Sequence, residues 1–405
     1  MAGSIMLAAN SVILVIFVSR SADVAEVGRF SISLTTAQLL YFVGLFGSNN
    51  YQMTDYKNEY RFVDYLGLKW MSLALMAMIC AVVMLFTEDR TERLYLLLLT
   101  VFMLINAFAE LYQAFYFQHN RLDLSGKSLF YRYMFSTLAF VAVVSVTRSV
   151  FFALLGLIAI DLAATWFWAV RPAARFSAEP RGAAPDCRVG RLALACLPLF
   201  LNVFLINYAL IASKYAIEGL LNDQAQGLFN IIFVPAQVIN LCSLFIFKPM
   251  LNDYASLLEN NNTPKLLRLL FKHGFLVLVF SFLCCGLAYV FGAWVVNLLY
   301  HVDIQNLRVE LVIIVLGGGV FALSQMLFFI LLLMRKQLSI LVIYIFTSLV
   351  ATGLSWGLVR LFALRGASLA FLFTFVFLTI VYICCTCYHI KKRNKENRYE
   401  PVAVD

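Results

Sequence analysis

Charged residues are scarce in this chain. Only 13% of its 405 residues are Asp, Glu, Lys or Arg, whereas 62% are hydrophobic; soluble domains carry nearer a quarter of charged residues. A soluble fold of this length could not bury so much apolar surface. The longest loop between apolar stretches has roughly twenty residues, which leaves no room for a soluble catalytic domain.

Patterns typical of catalytic and metal sites are also missing from the sequence. The four histidines lie at or near predicted loops, without Ser or Asp partners at a recognisable spacing, and there is no Walker motif. The nine cysteines form neither a disulfide framework nor a zinc pattern with nearby histidines. We therefore expect no enzymatic activity, no cofactor and no metal site.

Apolar runs recur from one end of the chain to the other. Each has about twenty residues, enough to cross a bilayer as a helix, and a span must be helical to satisfy its own backbone hydrogen bonds. The sequence therefore predicts an all-α polytopic membrane protein. Its twelve predicted spans are 2–19, 29–48, 65–86, 94–118, 128–147, 150–171, 191–211, 228–247, 270–299, 309–334, 337–358 and 366–389.

The distribution of Lys and Arg predicts the orientation. If both termini are cytoplasmic, most of these residues lie at the cytoplasmic ends of the spans, among them Lys69, Arg132 and the basic tail. We expect a multi-pass protein of the cell (inner or plasma) membrane. Its net charge of +9 then reflects topology and contact with anionic lipid, and requires no nucleic acid.

Two similar segments lie 199 residues apart. Gly28, Phe30 and the pair Ala37-Gln38 recur as Gly227, Phe229 and the pair Ala236-Gln237. A second pair, Asp55-Tyr56, recurs 198 residues later as Asp253-Tyr254. Such a duplication is typical of transporters with two bundles around a central site. Because each half has six spans, an even number, both halves enter the membrane from the same side and the repeat is parallel. We predict an N-terminal six-helix bundle (1–171), a cytoplasmic Pro-, Ala- and Arg-rich linker (172–190), a C-terminal six-helix bundle (191–389) and a tail (390–405).

Polar residues form stripes inside several predicted spans. Span two has Ser31, Thr35 and Gln38 on one helix face, and span eight has Asn230, Gln237 and Asn240. These stripes could be two walls of a substrate cavity, or could hydrogen-bond neighbouring helices.

Acidic residues at membrane depth are candidates for ion coupling. Glu110 lies with Asn106 and Gln113 on one face of span four, and Asp161 lies in span six. Glu110 could carry a proton or contact a sugar, or could be a protonated group bonded to a neighbour. Arg171, the nearest basic residue on the helix of Asp161, is roughly 15 Å away along the axis, so a partner for Asp161 must come from another helix.

Two cations hold matching places in the halves. Arg20 ends span one, and Lys214 follows span seven near Asn207. Guanidinium and ammonium groups bind phosphate strongly, so the pair would suit a phosphate-bearing substrate; the alternative is snorkelling to the membrane interface.

Several segments resemble the bacterial polysaccharide flippases of the multidrug/oligosaccharidyl-lipid/polysaccharide exporter superfamily. They are Ser213-Lys214-Tyr215-Ala216-Ile217, Ala225–Asn230, Ile246-Phe247-Lys248-Pro249, Val18-Ser19-Arg20, Val27–Ser31 and Glu110–Asp123. The resemblance implies twelve helices and the flipping of a polyprenyl-pyrophosphate-linked oligosaccharide to the outer leaflet, with other polysaccharide assembly proteins as partners. It also implies a cavity in which Arg20 and Lys214 bind the pyrophosphate.

The resemblance has a competing interpretation. Ser21-Ala22-Asp23 departs from the Gly and Arg-Asp pattern of peptidoglycan-precursor flippases. Drug exporters of the same superfamily usually keep an acidic residue in the first bundle, and Glu110 or Asp161 could fill that role with H⁺ or Na⁺ as the coupling ion. An ion-coupled multidrug exporter is therefore the alternative.

Overall fold

The computed structural model describes residues 2–55, 59–173, 188–259, 263–334 and 336–399. Within these ranges every regular element is helical, and eight of the described helices are long and apolar enough to cross a membrane. Each predicted span lies on a helix, although the second helix ends at Leu45 rather than at residue 48. The prediction of an all-α membrane protein is confirmed.

The first part of the described chain contains eight α-helices. They are α1 (Ala2–Ser21), α2 (Val24–Leu45), α3 (Ser48–Thr54), α4 (Phe62–Phe86), α5 (Arg90–Gln118), α6 (Leu122–Thr147), α7 (Val150–Ala164) and α8 (Arg171–Ala173). A π-helical segment, Thr165–Val170, joins α7 to α8. Tyr116 of α5 fixes this segment, because its hydroxyl donates a hydrogen bond of 2.6 Å to the carbonyl oxygen of Ala169.

The second part of the described chain is built from longer helices. They are α9 (Arg188–Leu220), α10 (Asp223–Glu259), α11 (Thr263–Tyr300), α12 (Arg308–Leu333) and α13 (Gln337–Tyr399). Helix α13 is kinked at Ala363, whose φ of 49° and ψ of −128° are not helical. The kink falls between the predicted spans 337–358 and 366–389, so α13 carries both.

Asx residues begin the helices that carry the sequence repeat. Asp23 precedes α2 and accepts a hydrogen bond from the backbone N–H of Val24. Asn222, its equivalent 199 residues later, precedes α10 and accepts one from the N–H of Ala225 at 2.9 Å. These bonds satisfy amide groups that have no partner within the helix. Each of these helices is therefore preceded by an Asp or Asn that accepts a backbone hydrogen bond, although from the next residue in one case and from the third residue on in the other.

The chain divides into two compact units. The first contains the residues up to Tyr208 together with 222–228 and 299–301, and in it α2 packs on α5, α1 on α6, and α6 on α7. The second contains 209–221, 229–298 and the residues from Val302 on, and in it α12 packs on α13. The six-plus-six division stays a prediction. Three predicted features lie partly outside the described residues: 174–187 of the proposed linker, Tyr56 of the repeated Asp55-Tyr56 pair, and 400–405 of the tail.

Candidate functional site

A cluster of polar and charged side chains lies inside the first unit. It comprises Asn49, Lys69, Asn106, Glu110, Arg132 and Asp161, from α3, α4, α5, α6 and α7, and we call it the buried polar cluster. Helices α4, α5 and α6 are each long and apolar enough to span a membrane, and so is the stretch Val150–Ala173 that begins with α7. Charges at such depth are costly and must be compensated by neighbouring groups.

Arg132 and Asp161 form the innermost pair of the cluster. One terminal nitrogen of Arg132 lies 3.2 and 3.3 Å from the two carboxylate oxygens of Asp161, and both side chains are almost completely buried. Asn106 links them: its amide oxygen accepts from Arg132 at 2.9 Å, and its amide nitrogen donates to Asp161 at 3.4 Å and to the carbonyl of Phe102 at 2.7 Å. The expected partner for Asp161 on another helix is thus Arg132.

Lys69 and Glu110 are joined through Asn49. The ammonium group of Lys69 donates to the carbonyl oxygen of Gly44 at 3.1 Å and to the amide oxygen of Asn49 at 3.3 Å. The Asn49 amide nitrogen donates to Glu110 at 3.0 Å, and Tyr41 is hydrogen-bonded to the same carboxyl group. Glu110 therefore occupies a polar site while its helix is largely apolar.

Glu110 couples the two parts of the cluster electrostatically. It is attracted by both Arg132 and Lys69, although neither cation is hydrogen-bonded to it in the contacts above. With Asp161 ionised as well, the two acids balance the two bases. In this charge state the buried cluster is electrically neutral, as low-polarity surroundings favour.

The structure gives two cations an environment that the sequence does not predict. Lys69 and Arg132, which the charge pattern places on the cytoplasmic side, are both buried among polar partners. The signal was present in the sequence, because each lies inside a predicted span, a few residues from its start. Asn49 was not identified as a site residue, since α3 lies in a segment that was assigned to a loop.

The proposed substrate-binding residues occupy different environments. Arg20 is exposed at the end of α1 and donates to the carbonyl oxygen of Leu299 at 2.8 Å. Lys214 is buried in the second unit, with its ammonium nitrogen 4.6 Å from the centroid of the Phe233 ring.

The remaining predicted residues show a similar spread. Gln38 is partly buried, Asn230 is buried and Gln237 is exposed, while the amide of Asn207 donates to the carbonyl of Val203 at 2.7 Å. The side chain of Asn240 lies outside the described residues. A substrate role stays a prediction for the six proposed residues, which are Arg20, Gln38, Asn207, Lys214, Asn230 and Gln237.

The repeated glycines belong to one helix crossing within the first unit. A Cβ atom added at Gly28 would overlap the carbonyl oxygen of Asp223, and one added at Gly227 would overlap that of Val24. Asp223 and Val24 are themselves 199 residues apart. The crossing is therefore symmetric at residue level, and glycine is needed on both sides because backbone approaches backbone.

An ion triad borders this crossing. The Nε atom of Arg29 lies 3.0 Å from a carboxylate oxygen of Asp89 and 2.8 Å from one of Asp223. Partial burial alone would raise the pKa of Asp89. Hydrogen bonds from the backbone N–H groups of Thr91 and Glu92, together with the charge of Arg29, outweigh this effect and hold the pKa below its ordinary value. Asp89 thus caps α5 and binds Arg29 as a carboxylate.

Comparison with solved structures identifies the architecture. The chain is similar to an inward-facing multidrug resistance MATE family transporter of the MOP superfamily (TM-score 0.70, 13% identity, covering 95% of each chain). It is also similar to a mutant Vibrio cholerae MATE transporter (TM-score 0.61, 13% identity, covering 98% of this chain and 94% of that one). A MOP superfamily transporter from Pyrococcus furiosus, whose binding pocket is described as of reversed polarity, gives a TM-score of 0.60 at 14% identity, covering 96% and 93%.

Comparisons at the level of sequence give no match. No protein-family model matches the chain, and no curated protein does. The structural likeness covers nearly the whole chain at an identity that shows the fold alone. The predicted fold class, all-helical with about twelve membrane helices, is confirmed. The chain has the fold of the MATE-family transporters of the MOP superfamily.

Proposed function

We propose that this protein is an ion-coupled exporter of the multidrug type. The observation that carries the proposal is the buried polar cluster, in which Glu110 is attracted by two buried cations, Lys69 and Arg132. The MATE-type fold supports the proposal, since the similar solved structures include multidrug transporters. The substrates would be amphipathic organic compounds, and the coupling ion would be H⁺ or Na⁺.

Glu110 is the better candidate for the coupling residue. Asp161 is completely buried and held by a guanidinium group, so its charge is compensated at contact distance. Glu110 is only partly buried, and its hydrogen-bond donors, Asn49 and Tyr41, are neutral. Loss of its charge would leave Lys69 without its nearest acid and favour a rearrangement of α4 against α5. Such a rearrangement is what couples ion binding to a change of access.

The test uses purified protein in liposomes, with ethidium as the transported probe. We expect imposed pH or Na⁺ gradients to drive ethidium accumulation by the wild type. Glu110→Gln should abolish the response to the gradient while leaving gradient-independent exchange of ethidium measurable. Asp123→Asn is the matched control, because Asp123 is exposed and forms its ion pair with the neighbouring Arg121. Gradient-driven accumulation by Glu110→Gln at the wild-type rate would refute the proposal.

A second candidate function rests on Lys214. A cation buried in the second unit suits a pyrophosphate group, and the resemblance in sequence points to a lipid-linked oligosaccharide as the cargo. In this alternative the protein flips a polyprenyl-pyrophosphate-linked oligosaccharide for cell-surface polysaccharide synthesis. Arg20 and Lys214 would bind the pyrophosphate, and Gln38, Asn207, Asn230 and Gln237 would contact the glycan.

A measurement of surface glycan distinguishes the two functions. The chain is expressed in a strain that lacks its polysaccharide flippase, and surface polysaccharide is measured. If the protein is a flippase, it restores surface polysaccharide in this strain. Arg20→Ala or Lys214→Ala should then lower the amount of surface polysaccharide about ten- to a hundredfold, because each removes one charge-assisted contact to the phosphate. Lys214→Arg should retain most of the activity. Absence of glycan together with gradient-driven ethidium transport would support the exporter.

A further inference from the structure

An apolar groove opens on the second unit between α11, α12 and α13. It has a volume of about 400 Å³ and is lined by Leu267, Phe271 and Gly274 of α11, Met326 of α12, and Ile383 and Cys387 of α13, among others. Phe271 is 80% exposed and Ile383 47%. The groove therefore opens outward, where a bilayer surrounds a membrane protein.

The lining offers almost no hydrogen-bonding groups. Thr379 is one of its two threonines, and its hydroxyl donates to the carbonyl oxygens of Phe375 at 2.8 Å and Val320 at 3.3 Å. Gly274 leaves space on the α11 side, since a Cβ there would come no closer than 3.6 Å to Met326. A hydrocarbon chain fits such a surface, and a polar solute does not.

One end of the groove is bordered by cations. Arg268 and Lys272 follow the lining residues Leu267 and Phe271 by one position each, and both are exposed. Lys391 comes four residues after Cys387 on α13, which places it on the same helix face one turn further on, and it too is exposed. By their positions along α11 and α13, Arg268 and Lys391 lie toward the end of the groove where α11 begins, and Lys272 follows about one turn further along α11.

The helices that carry these cations contain no acid along the groove. The α11 helix, Thr263–Tyr300, has no Asp or Glu, and neither has α13 between Gln337 and Lys391; the nearest acids in sequence are Glu259, four residues before α11, and Glu396, five residues after Lys391. The start of α11 adds the positive end of its helix dipole. An apolar groove that ends in basic groups at the membrane interface is complementary to a lipid with hydrocarbon chains and a negative headgroup.

We propose that the groove between α11, α12 and α13 is a binding site for an anionic glycerophospholipid. An acyl chain lies along Phe271 and Gly274, and the phosphate is held by Arg268, Lys272 and Lys391. This site lies within the second unit and does not depend on the transported substrate. The inference stands independently of the proposed function.

The test is native mass spectrometry of the purified full chain with phosphatidylglycerol or phosphatidylethanolamine as the probe lipid. We expect wild type to retain phosphatidylglycerol preferentially. The triple variant Arg268→Gln/Lys272→Gln/Lys391→Gln, which changes only exposed side chains, should lose this preference, at about fivefold for each charge removed. Lys127→Gln, at an exposed lysine of α6, is the matched control and should bind as wild type does.

A second variant tests the apolar part of the groove. Gly274→Leu should fill it and lower retention of both lipids, whereas Gly286→Leu, on the same helix with open space around its Cβ, should not. Equal retention of the two lipids by wild type, or undiminished phosphatidylglycerol binding by the triple variant, would overturn the proposal. Preferential binding that survives Gly274→Leu would equally overturn it, because the headgroup alone would then suffice.

Discussion

Arg132 contacts both carboxylate oxygens of Asp161 through a single guanidinium nitrogen. The two residues are 29 positions apart in sequence and lie on the neighbouring helices α6 and α7. The arrangement leaves the Nε atom of Arg132 without a hydrogen-bond partner among the described residues. Asn106 supplies the remaining contact to both groups. The pair is therefore well compensated in charge and incompletely satisfied in hydrogen bonds.

The first prediction concerns this pair. Asp161→Ala should destabilise the protein by about 3–5 kcal/mol, because it leaves a buried guanidinium without its counter-ion. The double variant Arg132→Met/Asp161→Leu should recover most of that loss, since a buried ion pair replaced by apolar groups is often neutral. Denaturant-induced unfolding in detergent, followed by tryptophan fluorescence, measures both. A double variant less stable than Asp161→Ala would contradict the prediction.

The second prediction concerns the glycine crossing. Gly28→Ala and Gly227→Ala should each destabilise by about 1–3 kcal/mol, because the added methyl group meets backbone that cannot move aside. Gly126→Ala, in α6 with open space around it, should instead stabilise by up to about 1 kcal/mol through helix propensity. If thermal unfolding shows all three variants to be equally stabilised, the close packing is wrong.

The third prediction is a pH dependence. Because the pKa of Asp89 is lowered in the folded protein, its pairing with Arg29 contributes stability that is full above its unfolded pKa of 3.8. That contribution is lost as the pH falls through the lowered folded value. Wild type should exceed Asp89→Asn in melting temperature at neutral pH, and the difference should shrink in acid. A difference that grows below pH 4 would have the wrong sign.

The fourth prediction concerns orientation. In a cysteine-free background, a membrane-impermeant thiol reagent added outside intact cells should label Asn222→Cys, whose side chain is exposed at the start of α10. It should not label Ala183→Cys, which belongs to the proposed cytoplasmic linker outside the described residues. Labelling of position 183 in intact cells would reverse the topology.

The helices could be predicted from sequence, but the buried polar cluster could be predicted only in part. Apolar length identifies a span regardless of its neighbours, so α4, α5 and α12 were found. Glu110 and Asp161 were found because an acid inside an apolar run is conspicuous. Lys69 and Arg132 were assigned to the membrane interface, since a cation near a span end usually anchors topology. Their burial depends on which helices meet, and helix packing leaves no local pattern.

The crossing of Gly28 and Gly227 has the form of an interface in a symmetric homodimer. In such a dimer each residue near the axis contacts the equivalent surface of its copy; here Gly28 contacts Asp223, and Gly227 contacts Val24. A chain of half this length would already carry both faces of the contact. In a single chain the two faces need not stay identical, and Arg29 differs from its equivalent, Leu228, which carries no charge. The ion triad of Arg29 with Asp89 and Asp223 therefore lies on one side of the crossing, an asymmetry that two identical subunits could not have.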